Sequence, residues 1–223
     1  DIAFRKDLVL PDSGEDVISK VEMRTEIGGK HGAKPLELSM PVMIAPMSFG
    51  AISRSTKMAI GMASTLAGIA ENTGEGGMSD AQREAATQLV FQCLGGRLGW
   101  NIHDMKRANG LEIYISQGAK PGKGGILPGE KVTPEIAEAR GIPVGQDSIS
   151  PNRHPEVDSV SDLLDMIARI RKVTGKPVGF KAVIGAYGWI DTLCKEIHSR
   201  GIESAPDFIT VDSGDGGTGA APM

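Results

Sequence analysis

In this 223-residue chain, the residues able to do chemistry recur in one kind of place, directly after short apolar runs. Met47-Ser48 follows residues 41–46, Asn72 to Glu75 closes the run that begins at Ile69, Gln117 to Lys120 follows residues 111–116, and Ser213 to Thr218 follows residues 207–211. Lys181 lies inside such a run, flanked by Val178, Phe180 and Val183. A charge on an interior strand is costly without a partner, so Lys181 points to a functional role, and Gln117, at the end of an apolar strand, does the same. The 30 glycines are nearly twice the usual share of roughly 7%, and they cluster where backbone must come close to something flat or phosphorylated. One cluster, Gly214-Asp-Gly216-Gly217-Thr-Gly219, is a literal GxGxxG. A dinucleotide fingerprint must open a helix and carry an acidic residue about 20 positions later. Here Ala-Ala-Pro follows, so a nicotinamide dehydrogenase is the weaker reading. Cys93 and Cys194 belong to no CxxC pair and fall on apolar faces of expected helices, which predicts packing roles. His31, His103, His154 and His198 show no metal-ligand spacing, and no metal site is expected.

The elements that must position these residues alternate. Residues 41–46, bounded by prolines, read as a buried strand. Ser53 caps a helix whose apolar positions Met58, Met62 and Leu66, with Ala59, Ala63 and Ala67, place it against a core until Gly68 ends it. Residues 69–72 form a second short strand. Ser79 and Gln82 make a capping box, opening a helix that carries Ala85, Leu89 and Cys93 beside Ala86, Val90 and Leu94. Residues 97–101 are a weak third strand, with a short helix over 103–108, and residues 111–116 are a clear fourth. After a long glycine-rich loop, Thr133 and Pro134 start a helix that ends at Arg140 before Gly141. A helix over 161–174 with Leu163, Ile167 and Ile170 inward, a strand over 177–183, a helix over 189–200 and a strand over 207–211 complete the pattern. Strand then helix, repeated, predicts an α/β fold with a parallel sheet. Functional loops after five successive strands favour a ring over an open sheet. The expectation is a (β/α)8 TIM-barrel type with about six of eight βα units in this chain, residues 1–40 leading into a barrel over 41–223. The chain begins at Asp1 and stops after a glycine cluster with no closing helix, so the expectation is a part of a longer protein.

Charge removes some partners. With 24 Lys and Arg against 28 Asp and Glu and no dense basic run, nothing suits a nucleic-acid backbone. A small acidic substrate fits the balance. No apolar stretch approaches the roughly 20 residues that span a bilayer, no secretory signal is visible, and the sparse cysteines suit a reducing, cytoplasmic setting.

Four segments, in order, carry a resemblance: Ala45-Pro-Met-Ser-Phe-Gly-Ala51; Asn72-Thr-Gly-Glu-Gly-Gly77; Gln117-Gly-Ala-Lys-Pro-Gly122 with Val132-Thr-Pro-Glu-Ile-Ala137; and Gly214 to Pro222. Together they resemble the FMN-binding synthase domain of the glutamate synthase family over roughly residues 41 to 222. Residues 179–189 and 201–206 are similar to stand-alone glutamate-synthase-like proteins. The resemblance implies an FMN-dependent oxidoreductase that reduces the imine formed from 2-oxoglutarate and ammonia, giving L-glutamate. It places Met47, Ser48, Asn72, Gln117, Lys181, Gly216 and Gly217 at the flavin, and Glu75, Lys120 and Arg140 at the substrate, with Lys181 and Glu75 catalytic. Amide side chains can satisfy the ring's alternating donors and acceptors, and a lysine near its pyrimidine end stabilises the negative charge of the reduced form. Two cations suit a dicarboxylate. The bland alternatives are a loop cap for Glu75 and a helix-dipole partner for Arg140. In the family, the cysteines of an iron–sulfur cluster follow this segment, so that cofactor belongs to a part of the protein not present here. An electron-donor protein or reductase subunit is the implied partner. N-methylglutamate synthase-like activity and a non-catalytic flavin-binding or assembly module are the alternatives.

Overall fold

Helix caps and glycine turns cut the chain into short elements, and the order in which its strands pair defines the architecture. A computed structural model describes residues 21–185 and 188–214; Gly216 and Gly217, with the rest of the GxGxxG run beyond Gly214, lie outside the described residues. In chain order the elements are β1 (Thr25–Ile27), β2 (Leu36–Leu38), α1 (Arg54–Ala67), β3 (Ala70–Asn72), α2 (Asp80–Ala85), β4 (Gln88–Cys93), α3 (Ile102–Arg107) and β5 (Gly110–Tyr114). They continue with β6 (Ile126–Leu127), α4 (Pro134–Arg140), β7 (Ser148–Ile149), α5 (Val160–Thr174), β8 (Val178–Val183), α6 (Trp189–Arg200) and β9 (Ile209–Asp212). Ser53, Ser79, Thr133 and Ser159 each accept a backbone N–H at the start of a helix, and Gly68, Gly141 and Gly175 close helices in the left-handed conformation. These are the caps that the residue types predict.

Five strands pair in parallel in the order β3-β4-β5-β8-β9. Met43 bridges Ala70 in parallel, and the Ile44 N–H donates to the Ala70 carbonyl at 2.9 Å, which sets residues 41–46 beside β3 as the first unit. Neighbours in the sheet are thus always neighbours in chain order among the parallel strands. A doubly wound sheet reverses its order at a switch point; this one never reverses. Right-handed crossovers that always step the same way leave the helices on one face, and the sheet curls as a partial (β/α)8 fold.

The period of two along each strand separates the faces. Leu89, Phe91, Leu111, Ile113, Val178 and Phe180 point outward into a core shared with Leu164, Ile167 and Ile170 of α5 and Leu193 of α6. The residues between them, carried by the register Gln92↔Glu112, Tyr114↔Lys181 and Lys181↔Thr210, occupy the inner face and are largely polar. One end of the sheet is covered by the antiparallel β1/β2 hairpin. A methyl on Gly28 would meet Pro177 before β8, Leu36 is buried against Gly110 at the start of β5, and the Ser39 N–H donates to the Gly68 carbonyl at 2.7 Å before β3. The carboxyl ends of the strands lie opposite, away from the hairpin. Among the described residues no helix is long and apolar enough to cross a membrane.

Four sequence expectations need correction. Residues 88–93 are strand, not helix: Leu89, Phe91 and Cys93 face the helices by alternation, and a short apolar run fits either period. Cys93 is therefore buried on a strand, while Cys194 on α6 is exposed. Residues 97–101 are loop, because Arg97 adopts φ 53°, a left-handed geometry no strand accommodates. Residues 41–46 make a single bridge rather than a buried strand, and Pro41 to Met43 are exposed; prolines at both ends withhold ladder donors. Finally, the helical period of α1 is right but the face is wrong. Its buried residues are Lys57, Gly61 and Ser64, while Leu66 is 87% exposed and Met62 is exposed. The close approach of α2 explains this, since a methyl on Gly61 would lie 2.8 Å from the Ala85 side chain, and no larger residue fits at that point of the seam.

Lys57 is the costly member of that seam. It is 1% exposed, and its ammonium donates to the Thr73 carbonyl at 2.6 Å. Burial lowers its pKa from the ordinary 10.5 to about 7, with Glu71 opposing and Arg140 reinforcing the shift. The unfolded chain therefore holds this proton to higher pH than the folded one. Between about pH 7 and 10.5 stability rises with pH, by at most about 1.4 kcal/mol per unit, and below pH 7 the full cost is present. Replacing Lys57 by Met should remove that slope; denaturant unfolding at pH 7 and pH 9 measures it, and an unchanged pH dependence would show that Lys57 titrates normally.

Candidate active site

The loop after β3 meets the Met47-Ser48 turn because its glycine lets backbone touch backbone. Gly74 has φ 65°, and a methyl there would lie 2.6 Å from the Met47 carbonyl carbon. Asn72 holds the same loop from below, its Oδ1 accepting the Gly74 N–H at 2.9 Å. Thr73 ties the loop to β4: its N–H donates to the Val90 carbonyl, and its hydroxyl accepts the Gln92 N–H at 3.0 Å. Gly76, at φ 104°, lies directly under the Arg140 guanidinium.

A cleft opens above the carboxyl ends of the strands, in two adjoining lobes. The first is lined by Met47, Ser48, Gln92, Tyr114, Gln117 and Lys181, with Pro46, Ile52 and Leu94 as its apolar wall. The second is lined by Gly125, Ile126, Leu127, Lys131 and Arg140. Ser48, Ala51, Glu75 and Lys120 line both, so Glu75 and Lys120 stand at the junction. Arg140 reaches the cleft through the long excursion between β5 and α5, where β6 pairs antiparallel with β7.

Charge is distributed unevenly between the lobes. In the first, the Lys181 ammonium is 2.9 Å from Asp212 Oδ1, and the other Asp212 oxygen accepts the Gly118 N–H at 2.6 Å. Burial first, then the Glu75 and Asp212 charges, push the Tyr114 phenol up, keeping it neutral; its hydroxyl donates to Gln117 Oε1 at 3.4 Å. Lys120 is buried, and burial lowers its pKa while Glu75 opposes the shift. The second lobe adds Lys131 and Arg140 with no further carboxylate in its lining among the described residues. Arg140 is 4% exposed; its Nη1 donates to Ser148 Oγ and its Nη2 to the Phe49 carbonyl, each at 2.8 Å, and its Nε has no partner among the described residues. Glu75 accepts a hydrogen bond from the Ser150 hydroxyl.

Of the residues singled out from sequence, Met47, Ser48, Glu75, Gln117, Lys120 and Lys181 share the first lobe, and Arg140 joins Glu75 and Lys120 in the second. Asn72 does not line the cleft. It is buried beneath, with Nδ2 donating to Glu112 at 3.0 Å. Lys181 has the counter-charge its position demands, and Glu75 and Arg140 each have protein partners beside their place in the cleft. The sequence reading missed Gln92, Tyr114, Glu112 and Asp212. Gln92 was concealed by the helix assigned to it; as strand, its alternation with Phe91 and Cys93 turns it inward. Tyr114 and Asp212 close their strands, which is the signal that could have found them.

The family model described as the conserved region in glutamate synthase matches residues 5–223. Among curated relatives, a glutamate synthase large subunit-like protein of Rhizobium meliloti is 37% identical over 203 residues, 90% of this chain and 44% of the relative. An archaeal-type glutamate synthase (NADPH) of Thermotoga maritima is 40% identical over 210 residues, 93% of this chain and 39% of the relative. The archaeal glutamate synthase (NADPH) of Methanocaldococcus jannaschii is 39% identical over 207 residues, 92% and 38% respectively. The chain spans about two fifths of the length of these relatives. Among solved structures, a mandelate oxidase mutant with a monooxide FMN adduct is 14% identical, with a TM-score of 0.45, over 85% of this chain and 50% of that one. Matched along nearly its whole length by the family model, the chain belongs to the glutamate synthase family.

Proposed function

We propose that this chain is the FMN-binding part of a glutamate-synthase-type oxidoreductase, reducing the 2-iminoglutarate formed from 2-oxoglutarate and ammonia to L-glutamate. In this reading residues 41–223 form the flavin domain and residues 1–40 lead into it. The observation that carries the proposal is the pairing of two unlike lobes: one charge-balanced and lined by amides, the other with surplus cations, joined at Glu75 and Lys120. A flat, uncharged ring suits the first and a dicarboxylate the second.

The donor set of the first lobe fits a flavin. Gln92, Gln117 and the Tyr114 hydroxyl supply donors and acceptors on one side, Met47, Ile52 and Leu94 an apolar wall, and Lys181 a cation. Met47, Ser48, Gln117 and Lys181 would hold the ring, with Asn72 fixing the loop beneath it; Gly216 and Gly217 complete the proposed set. Reduced FMN, when bound, would supply two electrons as a hydride for reduction of a carbon–nitrogen double bond. Lys181 places positive charge where the reduced ring becomes anionic, and Asp212 keeps that ammonium in place. In the second lobe Arg140, Lys120 and Lys131 attract the two carboxylates. Glu75, the one carboxylate in that lining among the described residues, draws ammonium toward the substrate and can take the proton released as ammonia adds to the keto carbon. The reading is supported by family membership and by relatives whose names carry glutamate synthase activity. Reducing equivalents enter from an electron-donor protein or reductase subunit.

The whole protein, purified natively, should be yellow and release FMN on denaturation, and 2-oxoglutarate with ammonia should reoxidise the reduced flavin; a colourless protein that cannot be reconstituted would overturn the proposal. Replacing Lys181 by Met removes a charge-assisted interaction of about 2 kcal/mol, so flavin affinity should fall roughly tenfold or more and the reduction potential should drop, as spectroelectrochemical titration reads directly. For Arg140, truncation to Ala should cost stability, because the Phe49 carbonyl and Ser148 lose a buried donor at about 1–3 kcal/mol each. The milder Arg140→Lys should raise the KM for 2-oxoglutarate while leaving bound flavin intact; loss of flavin and substrate affinity in parallel would mark Arg140 as a brace alone.

A further inference from the structure

The inner face of the sheet carries a buried carboxylate that the proposed chemistry does not use. Glu112, 4% exposed, sits at the middle of β5. One of its oxygens accepts Asn72 Nδ2 from β3 at 3.0 Å and Gln92 Nε2 from β4 at 2.9 Å, and the other accepts the Thr210 hydroxyl from β9 at 2.6 Å. Its register partner on β8 is Gly179, which carries no side chain, so Thr210 reaches the carboxylate across the intervening strand. Three strands therefore converge on one acceptor carried by a fourth.

A primary amide has two ends of nearly equal size and opposite hydrogen-bonding character, so its neighbours decide which way it faces. A carboxylate that accepts can only be met by the amino end. We infer that Glu112 is a positioning residue that fixes the orientation of the Asn72 and Gln92 amides, so that Gln92 offers the first lobe its carbonyl oxygen rather than its amino group. The effect on Asn72 is visible in the fold: with Nδ2 held by Glu112, Oδ1 is the atom that receives the Gly74 N–H. Gln92 has no such second bond among the described residues, and it lines the cleft. The bound molecule must therefore turn a hydrogen-bond donor toward Gln92. On the flavin reading, on which this last step rests, that donor is the ring's N3–H, between its two carbonyls.

Two measurements separate the inference from the reading beneath it. In the flavin-free protein, side-chain amide hydrogen exchange followed by NMR should show the Asn72 and Gln92 amino protons protected relative to exposed Gln146; exchange as fast as that of Gln146 would overturn the proposal without reference to any ligand. With flavin, the wild type should bind FMN at least tenfold tighter than N3-methyl-FMN, which has no proton to give. Glu112→Met, similar in size but unable to accept, frees the Gln92 amide to turn and should reduce that preference at least fivefold. Glu112→Gln, which keeps an oxygen for the two amides and can donate to Thr210, should retain it. A preference unchanged in Glu112→Met would overturn the proposal, since a merely structural role alters stability and not the discrimination between the two flavins. The exchange measurement uses the wild type, so a poorly folding Glu112→Met leaves the test intact. Protected amides in a protein that binds no FMN would sink the flavin reading and leave the amide orientation standing.

Discussion

A parallel sheet covered by helices usually buries apolar side chains on both of its faces, and the constraint behind this structure is that one face does not. Asn72, Gln92, Glu112, Tyr114, Lys181, Thr210 and Asp212 share the inner face. Once removed from water, polar groups have to find partners in one another. They do so across strands: Glu112 joins β3, β4 and β9, Asp212 joins β9 to Lys181 and to the loop after β5. The outer face, by contrast, is dry and packed against α5 and α6. Rigidity comes from the outside of the sheet and chemical specificity from the inside.

That division explains why the loops can be glycine-rich without losing shape. The Gly74 loop is held by Asn72 below, by Thr73 to β4 and by Lys57 from α1. The ammonium of Lys57 is an expensive strap, since burial works against its charge, but it anchors the carbonyl two residues before Glu75. Arg140 does the same for the Met47–Phe49 segment, donating to the Phe49 carbonyl from the far side of the excursion. Residues that position the cleft are thus themselves charged and buried, each with a backbone carbonyl as partner, which is the arrangement that makes a buried cation tolerable.

The two lobes differ in a way that matters for what can bind. Ion pairing within the first leaves it close to neutral, so affinity there rests on shape and on hydrogen-bond matching. Cations gather in the second, where a carboxylate ligand loses little of its hydration energy that they do not return. Glu75 at the border faces both environments, held by Ser150 on one side and close to Lys120 on the other.

Much of this was legible in the residue string. The caps at Ser53, Ser79 and Thr133, the glycine stops at Gly68 and Gly141, the strands ending near Asn72, Tyr114 and Val183, and the polar residues placed just after them all follow from local chemistry, because a cap or a turn depends only on atoms a few positions away. The repeating strand–helix order was also local information summed along the chain, and the polar residues after successive strands, not that order, favoured the barrel type. What the string could not decide was orientation. Whether residues 88–93 wind or extend, which stripe of α1 is buried, that Glu112 gathers donors from strands 40 and 98 positions distant, and that Lys181 is answered by Asp212 are consequences of which segments lie side by side. A side chain's partner across a sheet is set by register and packing, energies that exist only once distant segments have met, and no local propensity encodes them.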